Sequence, residues 1–134
     1  MSDTPRLRTH PKDRLAAPVQ HIDLPATIAT LRKEPHAAVA GHRQIAVFRS
    51  GPVTVLAFAF EPGGVLKEHQ ADGVVTIQTL SGHLHVTAEN AGFDVPAGHV
   101  IALAPSVQHS VSAAVESTML LTVCLESGST GRAD

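Results

Sequence analysis

Beyond Gly41 the apolar residues come in short runs, and no stretch keeps a helical period. The runs are Gln44 to Arg49, Val53 to Phe60, Val65 to His69, Val74 to Leu80, His83 to Thr87, Val100 to Leu103, His109 to Val115 and Thr118 to Leu125. Turn formers separate them: Ser50-Gly51-Pro52, Pro62-Gly63-Gly64, Asp72-Gly73, Ser81-Gly82, Asn90-Ala91-Gly92 and Pro96-Ala97-Gly98. Short strands at regular spacing with such turns predict an all-β sandwich or barrel. Before Gly41 the pattern differs. Leu24, Ile28 and Leu31 share one face at helical spacing, Asp23 can cap the first turn, Pro25 is tolerated there, and Pro35 ends the run. A short helix over Leu24 to Lys33 is therefore expected.

Alternation says which side chains share a face of a strand. In Val74 to Leu80 the set Val75, Ile77, Thr79 opposes the set Val74, Thr76, Gln78, Leu80, and both sets contain apolar residues. A strand apolar on both sides is usually covered on both sides. In a small barrel the outer cover is a partner subunit, so a homodimer is expected.

The chain has 134 residues, 43% of them hydrophobic and 16% charged. That is enough for one domain with its own core and too apolar for general disorder. The organisation expected is an arm and short helix over 1–40, a barrel over 41–126 and a flexible tail over 127–134. The formal net charge is −2, with no basic stripe, so a nucleic-acid partner is not expected. The run from Val53 to Phe60 is too short to span a bilayer, and Met1 to Ala17 has no apolar core like that of a signal peptide. The expectations are therefore no membrane partner and a cytoplasmic location. The single cysteine, Cys124, lies in the run Met119 to Leu125 and is expected to be buried there as a small hydrophobe.

Nine histidines are many for this length, though number alone is weak evidence for metal. His10, His21, His36 and His42 fall in loop-like polar sequence. His83 and His85 flank Leu84, which takes the core face, so they point outward. His99 comes after a turn and is expected to be exposed. Glu68 has the opposite parity to His69 and belongs to solvent or the barrel mouth.

Two segments carry a more specific pattern. Gly63 is followed by five residues and then His69, and Gly82 closes the segment. Gly98 opens the second, which ends on His109. Together they resemble the paired motifs of the cupin family over roughly residues 44 to 125. The resemblance implies a cupin-type double-stranded β-helix, a jelly-roll barrel, with a short N-terminal helix. It also implies a metal centre of three histidines and a carboxylate. Here Ala71 stands at the second histidine position, Val75 at the glutamate position and Ala113 at the asparagine position of the second motif. Two of the three ligands of the first motif are thus replaced. The chain also looks like small single-domain cupins in which a glutamine-containing strand, here Thr76 to Gly82, takes the place of the glutamate motif.

Strand parity places His69 and His109 inside the barrel on neighbouring strands. One reading is an open metal site: a single divalent transition metal (Zn, Ni, Fe or Mn) held through both histidines, with water in the other positions. The other reading is a relic without metal, two buried imidazoles hydrogen-bonded to each other or to water. Gln78 is a third candidate ligand only if a bulge turns it inward; its parity puts it outside. Ala71, Val75 and Ala113 would leave an apolar cavity, narrowed by Phe58 and Phe60 if their face points in.

The function expected is binding of a small, largely apolar molecule in the barrel. One alternative is an enzyme. It would be either a metal-dependent dioxygenase or isomerase, or a metal-free catalyst in which His69 or His109 moves a proton. Another is a dimeric sensor module without chemistry.

Overall fold

A computed structural model describes residues 17–126. The arm before residue 17 and the tail over 127–134 lie outside the described residues. Among the described residues one helix, α1 (Leu24–Arg32), precedes nine strands: β1 (His42–Ser50), β2 (Val53–Phe60), β3 (Gly64–His69), β4 (Gly73–Ser81), β5 (His83–Ala88), β6 (Ala91–Pro96), β7 (Val100–Leu103), β8 (His109–Ala113) and β9 (Ser117–Leu125). They form a five-stranded sheet ordered β1-β2-β9-β4-β7 and a four-stranded sheet ordered β3-β8-β5-β6. Every named strand pair is antiparallel. The sheets face each other as a β-barrel, the all-β architecture the strand pattern predicts.

Period-two alternation builds the core. Along β4, Val75, Ile77 and Thr79 are buried, whereas Val74 and Gln78 are exposed. Along β5, Leu84 and Val86 point inward and His83 and His85 outward. From β2 and β9 come Phe58, Phe60, Met119 and Leu121. The buried Thr79 hydroxyl donates to Val95 O at 2.7 Å, which offsets the cost of placing a hydroxyl among methyl groups.

The helix seals the outer face of β1 and β2. Asp23 caps it, its carboxylate accepting from Ala26 N–H at 3.0 Å. Ile28 and Leu31, the predicted apolar face, pack on Val47, Ala57 and Ala59 in a second core. Leu31 is 1% exposed. The rest of that outer face, over β9, β4 and β7, has no such cover among the described residues. It carries Val74 at 45% exposure and Val100 at 61%.

Four expectations change. β6 escapes the sequence pattern because it is framed by two turn signals and shows only Phe93-Asp94-Val95 between them. Cys124 is exposed, not buried. It pairs with Val74 across β4 and β9 and shares its outer face, so the odd-numbered residues Met119, Leu121 and Val123 take the core instead. His42 opens β1 rather than lying in a loop. Finally, β1 contains a bulge. Ala46 pairs with Leu56 and Phe48 with Val55, leaving Val47 as the extra residue. Before the bulge His42, Gln44 and Ala46 stand opposite inward-facing residues of β2; after it Arg49 does, opposite Thr54.

Candidate functional site

β3 and β8 pair so that His69 and His109 stand directly opposite. Their rings meet edge to face, 4.2 Å between centroids and 60° between planes. Each ring is held by the same device. His69 Nδ1 lies 2.8 Å from Lys67 O, and His109 Nδ1 lies 3.0 Å from Val107 O. A carbonyl only accepts, so each Nδ1 carries the proton and donates. Each neutral ring therefore turns a bare Nε2 lone pair away from its own strand. That is the tautomer a metal ligand or a general base needs.

The two histidines differ in setting. His69 is half-buried, while His109 is 1% exposed. His109 Nε2 is buried and has no hydrogen-bond partner. A buried acceptor without a partner costs about 1–3 kcal/mol, so a ligand donor, a water or a metal there would recover it. Burial lowers the His109 pKa below its usual 6.5; the neighbouring His69 lowers it further, and the Val107 hydrogen bond opposes both. The imidazole is thus kept neutral, with the lone pair of its free nitrogen available.

His69 also stands in the wall of a cavity of about 930 Å³. The floor is Leu56, Phe58, Leu121 and Val123, with Leu66 from β3. The rim is polar: His42, Gln44, Arg49, Thr54, Lys67 and Glu68. His42 donates from Nδ1 to Val65 O at 2.8 Å and packs over Phe58 and Phe60, at 5.7 Å from each ring. Phe58 and Phe60 do face inward. Ala71, Val75 and Ala113, however, do not line this cavity; they are closed into the packed core. The open space lies one side over, above β1, β2 and β9.

Gln78 is exposed on the outer face of β4, opposite in direction to Val75, Ile77 and Thr79, and stands apart from the histidine pair. Glu68 lies at the cavity rim. Among the described residues no group of three or more His, Cys, Asp or Glu is placed to hold a metal ion. The donors present fit a metal through two imidazole nitrogens only, with the remaining positions left to solvent or ligand.

A second histidine group lies outside the barrel. Asp94 Oδ1 is 3.2 Å from His85 Nδ1 and 3.4 Å from His83 Nε2. Hydrogen bonds from His85 and then His83 hold the Asp94 carboxyl below its ordinary range. All three are exposed, as the alternation of β5 predicts for the histidines.

Sequence reasoning missed His42, Gln44, Arg49 and Thr54. The first two share a face with Ala46 by simple alternation. Arg49 gives no such signal, because the bulge at Val47 inverts its parity.

No protein-family model matches the sequence, and no curated protein matches it. Solved structures do. A cupin superfamily protein from Desulfitobacterium hafniense aligns with a TM-score of 0.63 at 19% identity, covering 68% of this chain and 84% of that one. A conserved protein of unknown function from Streptococcus pyogenes aligns with a TM-score of 0.61 at 19% identity, over 66% of this chain and 77% of its own. Salicylate 1,2-dioxygenase from Pseudoaminobacter salicylatoxidans aligns with a TM-score of 0.62 at 14% identity, over 75% of this chain but 30% of that longer one. The fold is a cupin fold. Proteins sharing it at this distance include an enzyme, a protein of unknown function and a domain of a transcriptional regulator, so fold alone assigns no activity here.

Proposed function

We propose that this chain binds a small, largely apolar molecule in the barrel cavity, with a polar group of the ligand meeting the His69–His109 pair. The observation that carries this reading is the buried, unpartnered Nε2 of His109 beside His69, which lines an open cavity with an apolar floor. Pockets with an apolar lining and a few convergent polar groups are the usual form of a small-molecule site.

The two bare Nε2 atoms favour a second element of the same reading: His69 and His109 take up one divalent transition ion, Zn, Ni, Fe or Mn, with water completing its shell. Such an ion supplies polarisation of a bound oxygen. The residues themselves orient the ligand, exclude water through Leu56, Phe58 and Val123, and hold a proton-accepting nitrogen at His109. A dioxygenase or isomerase activity is the less supported alternative, because no carboxylate among the described residues joins the pair to balance the charge of a divalent ion. The protein is proposed to work in the cytoplasm as a homodimer. The apolar outer face bearing Val74 and Val100 supports the dimer.

The test is metal content of untagged protein beside the His69→Ala/His109→Ala double variant. Stoichiometric metal in the wild type that is lost in the variant supports the metal element. Equal and negligible metal in both leaves the metal-free pocket. Unchanged side-chain resonances around Leu56 and Val123 across a panel of small apolar molecules would overturn the pocket itself.

A further inference from the structure

We infer that the cavity selects a small organic carboxylate, and that Arg49 is the residue that recognises its charge. The inference rests on the pocket reading above and names the ligand class of that same site. It begins with the bulge in β1. Val47 is the extra residue between the pairs Ala46–Leu56 and Phe48–Val55. Its side chain packs under α1 with Ile28 and Leu31. The helix contact and the bulge therefore belong together: placing Val47 outward as an extra residue reverses the alternation at Phe48 and Arg49. Without the bulge Arg49 would share the outer face with Arg43, Ile45 and Val47. With it, Arg49 stands opposite Thr54, on the face where Thr54, Leu56 and Phe58 line the cavity.

The arginine is poised rather than spent. Its Nε lies 3.5 Å from Thr54 Oγ1, a long contact at the limit of a hydrogen bond. Among the described residues no carboxylate pairs with its guanidinium. Of the residues lining the cavity, Glu68 carries the negative charge, against the two cations Arg49 and Lys67. The balance leaves room for one negative charge.

The shape of the rest decides the chemistry. The floor below Arg49 is hydrocarbon, from Leu56, Leu121 and Val123. A guanidinium presents two parallel N–H donors that match the two oxygens of a carboxylate. A single carboxylate on an apolar body would lay its body on that floor and its charge in the fork. Its far end would point toward His69.

The test uses hexanoate and its neutral isostere hexanamide, titrated into the full chain and followed by the methyl resonances of Leu56, Leu121 and Val123. Wild type should bind hexanoate at least about tenfold more tightly than hexanamide, as expected for one charge-assisted contact. R49Q should abolish that preference by weakening hexanoate binding rather than by tightening hexanamide binding. R49K, which keeps the charge and loses the fork, should keep a reduced preference. Arg49 is exposed, so both variants should unfold at the wild-type denaturant midpoint. Equal binding of the two probes by wild type, or a preference that survives in R49Q, overturns the carboxylate inference and leaves the pocket standing. No perturbation by either probe overturns both.

Discussion

His69 and His109 face each other across β3 and β8 with their rings edge to face, and the backbone carbonyl two residues upstream takes the Nδ1 proton of each. One of the pair is buried, so the site can accept a proton only at a cost. That makes the fold sensitive to acid. The folded-state pKa of His109 is lowered from the 6.5 of a free imidazole, chiefly by burial. As pH falls through 6.5 the unfolded chain takes up a proton before the folded one does. Stability is fully present above that value and is lost as pH drops toward the lowered folded pKa. Metal-free protein should therefore show a lower urea midpoint at pH 5.5 than at pH 7.5. His109→Gln should show a smaller fall between the same two values. An equal fall in the variant would place the acid sensitivity elsewhere.

Two glycines with the same backbone geometry should respond differently to alanine. Gly82 has φ +80° and Gly98 φ +87°, both in the left-handed region. A Cβ on Gly98 would meet nothing within 4 Å, so Gly98→Ala carries backbone strain alone, about 1–2 kcal/mol. A Cβ on Gly82 would collide with the Ser117 side chain and with the Glu116 backbone oxygen. It would also disturb Ser117 Oγ, which accepts from His83 N–H at 3.0 Å. Gly82→Ala should cost about 3 kcal/mol or more, or prevent folding. Chemical denaturation of the two variants side by side checks the difference.

The helix is held by its cap and by one deeply buried leucine. Asp23→Ala removes the acceptor of the Ala26 N–H and should cost about 1 kcal/mol. Leu31→Ala leaves a hole against Val47, Ala57 and Ala59 and should cost about 2–5 kcal/mol. Because Val47 is the bulged residue, the larger loss should also loosen Arg49. Hydrogen exchange across β1 would show this as faster exchange at Phe48 and Arg49 in Leu31→Ala than in Asp23→Ala.

Cys124 reports on the outer face of the five-stranded sheet. It is exposed and pairs with Val74 across β4 and β9. If that face closes a homodimer, the thiol is covered on association. Labelling by a small maleimide should be fast at nanomolar protein and slow as concentration rises, with a matching rise in sedimentation coefficient. A rate independent of concentration would count against a dimer through this face.

Much of the barrel can be read from the chain because its cause is local. Turn residues at Pro62-Gly63-Gly64, Ser81-Gly82 and Pro96-Ala97-Gly98 bound the strands, and alternation orients Ile77, Leu84 and Val86 inward wherever it runs unbroken. The histidine pair is legible only in part: His109 opens β8, which alternates regularly, but the register of β3 shifts between Leu66 and His69, and that irregularity, not parity, turns His69 toward His109. β6 is not legible, because it is short and lies between two strong turn signals. It is a strand because β5 offers it a hydrogen-bonding edge. Cys124 misleads because both faces of β9 carry apolar residues, Leu120 on one and Leu121 on the other, so composition hides which parity faces the core.

By itself the sequence determined eight of the nine strands, the helix with its Asp23 cap, and the inward placing of His109. These come from backbone propensity, turn chemistry and the period of two, all of which act between near neighbours. Only the tertiary structure decided where the cavity opens, that Val75 and Ala113 are packed while Leu56 and Val123 line open space, and that Arg49 joins the rim. The reason is physical. A bulge is settled by what packs on the extra residue, here α1 on Val47, and that contact spans elements no local pattern connects.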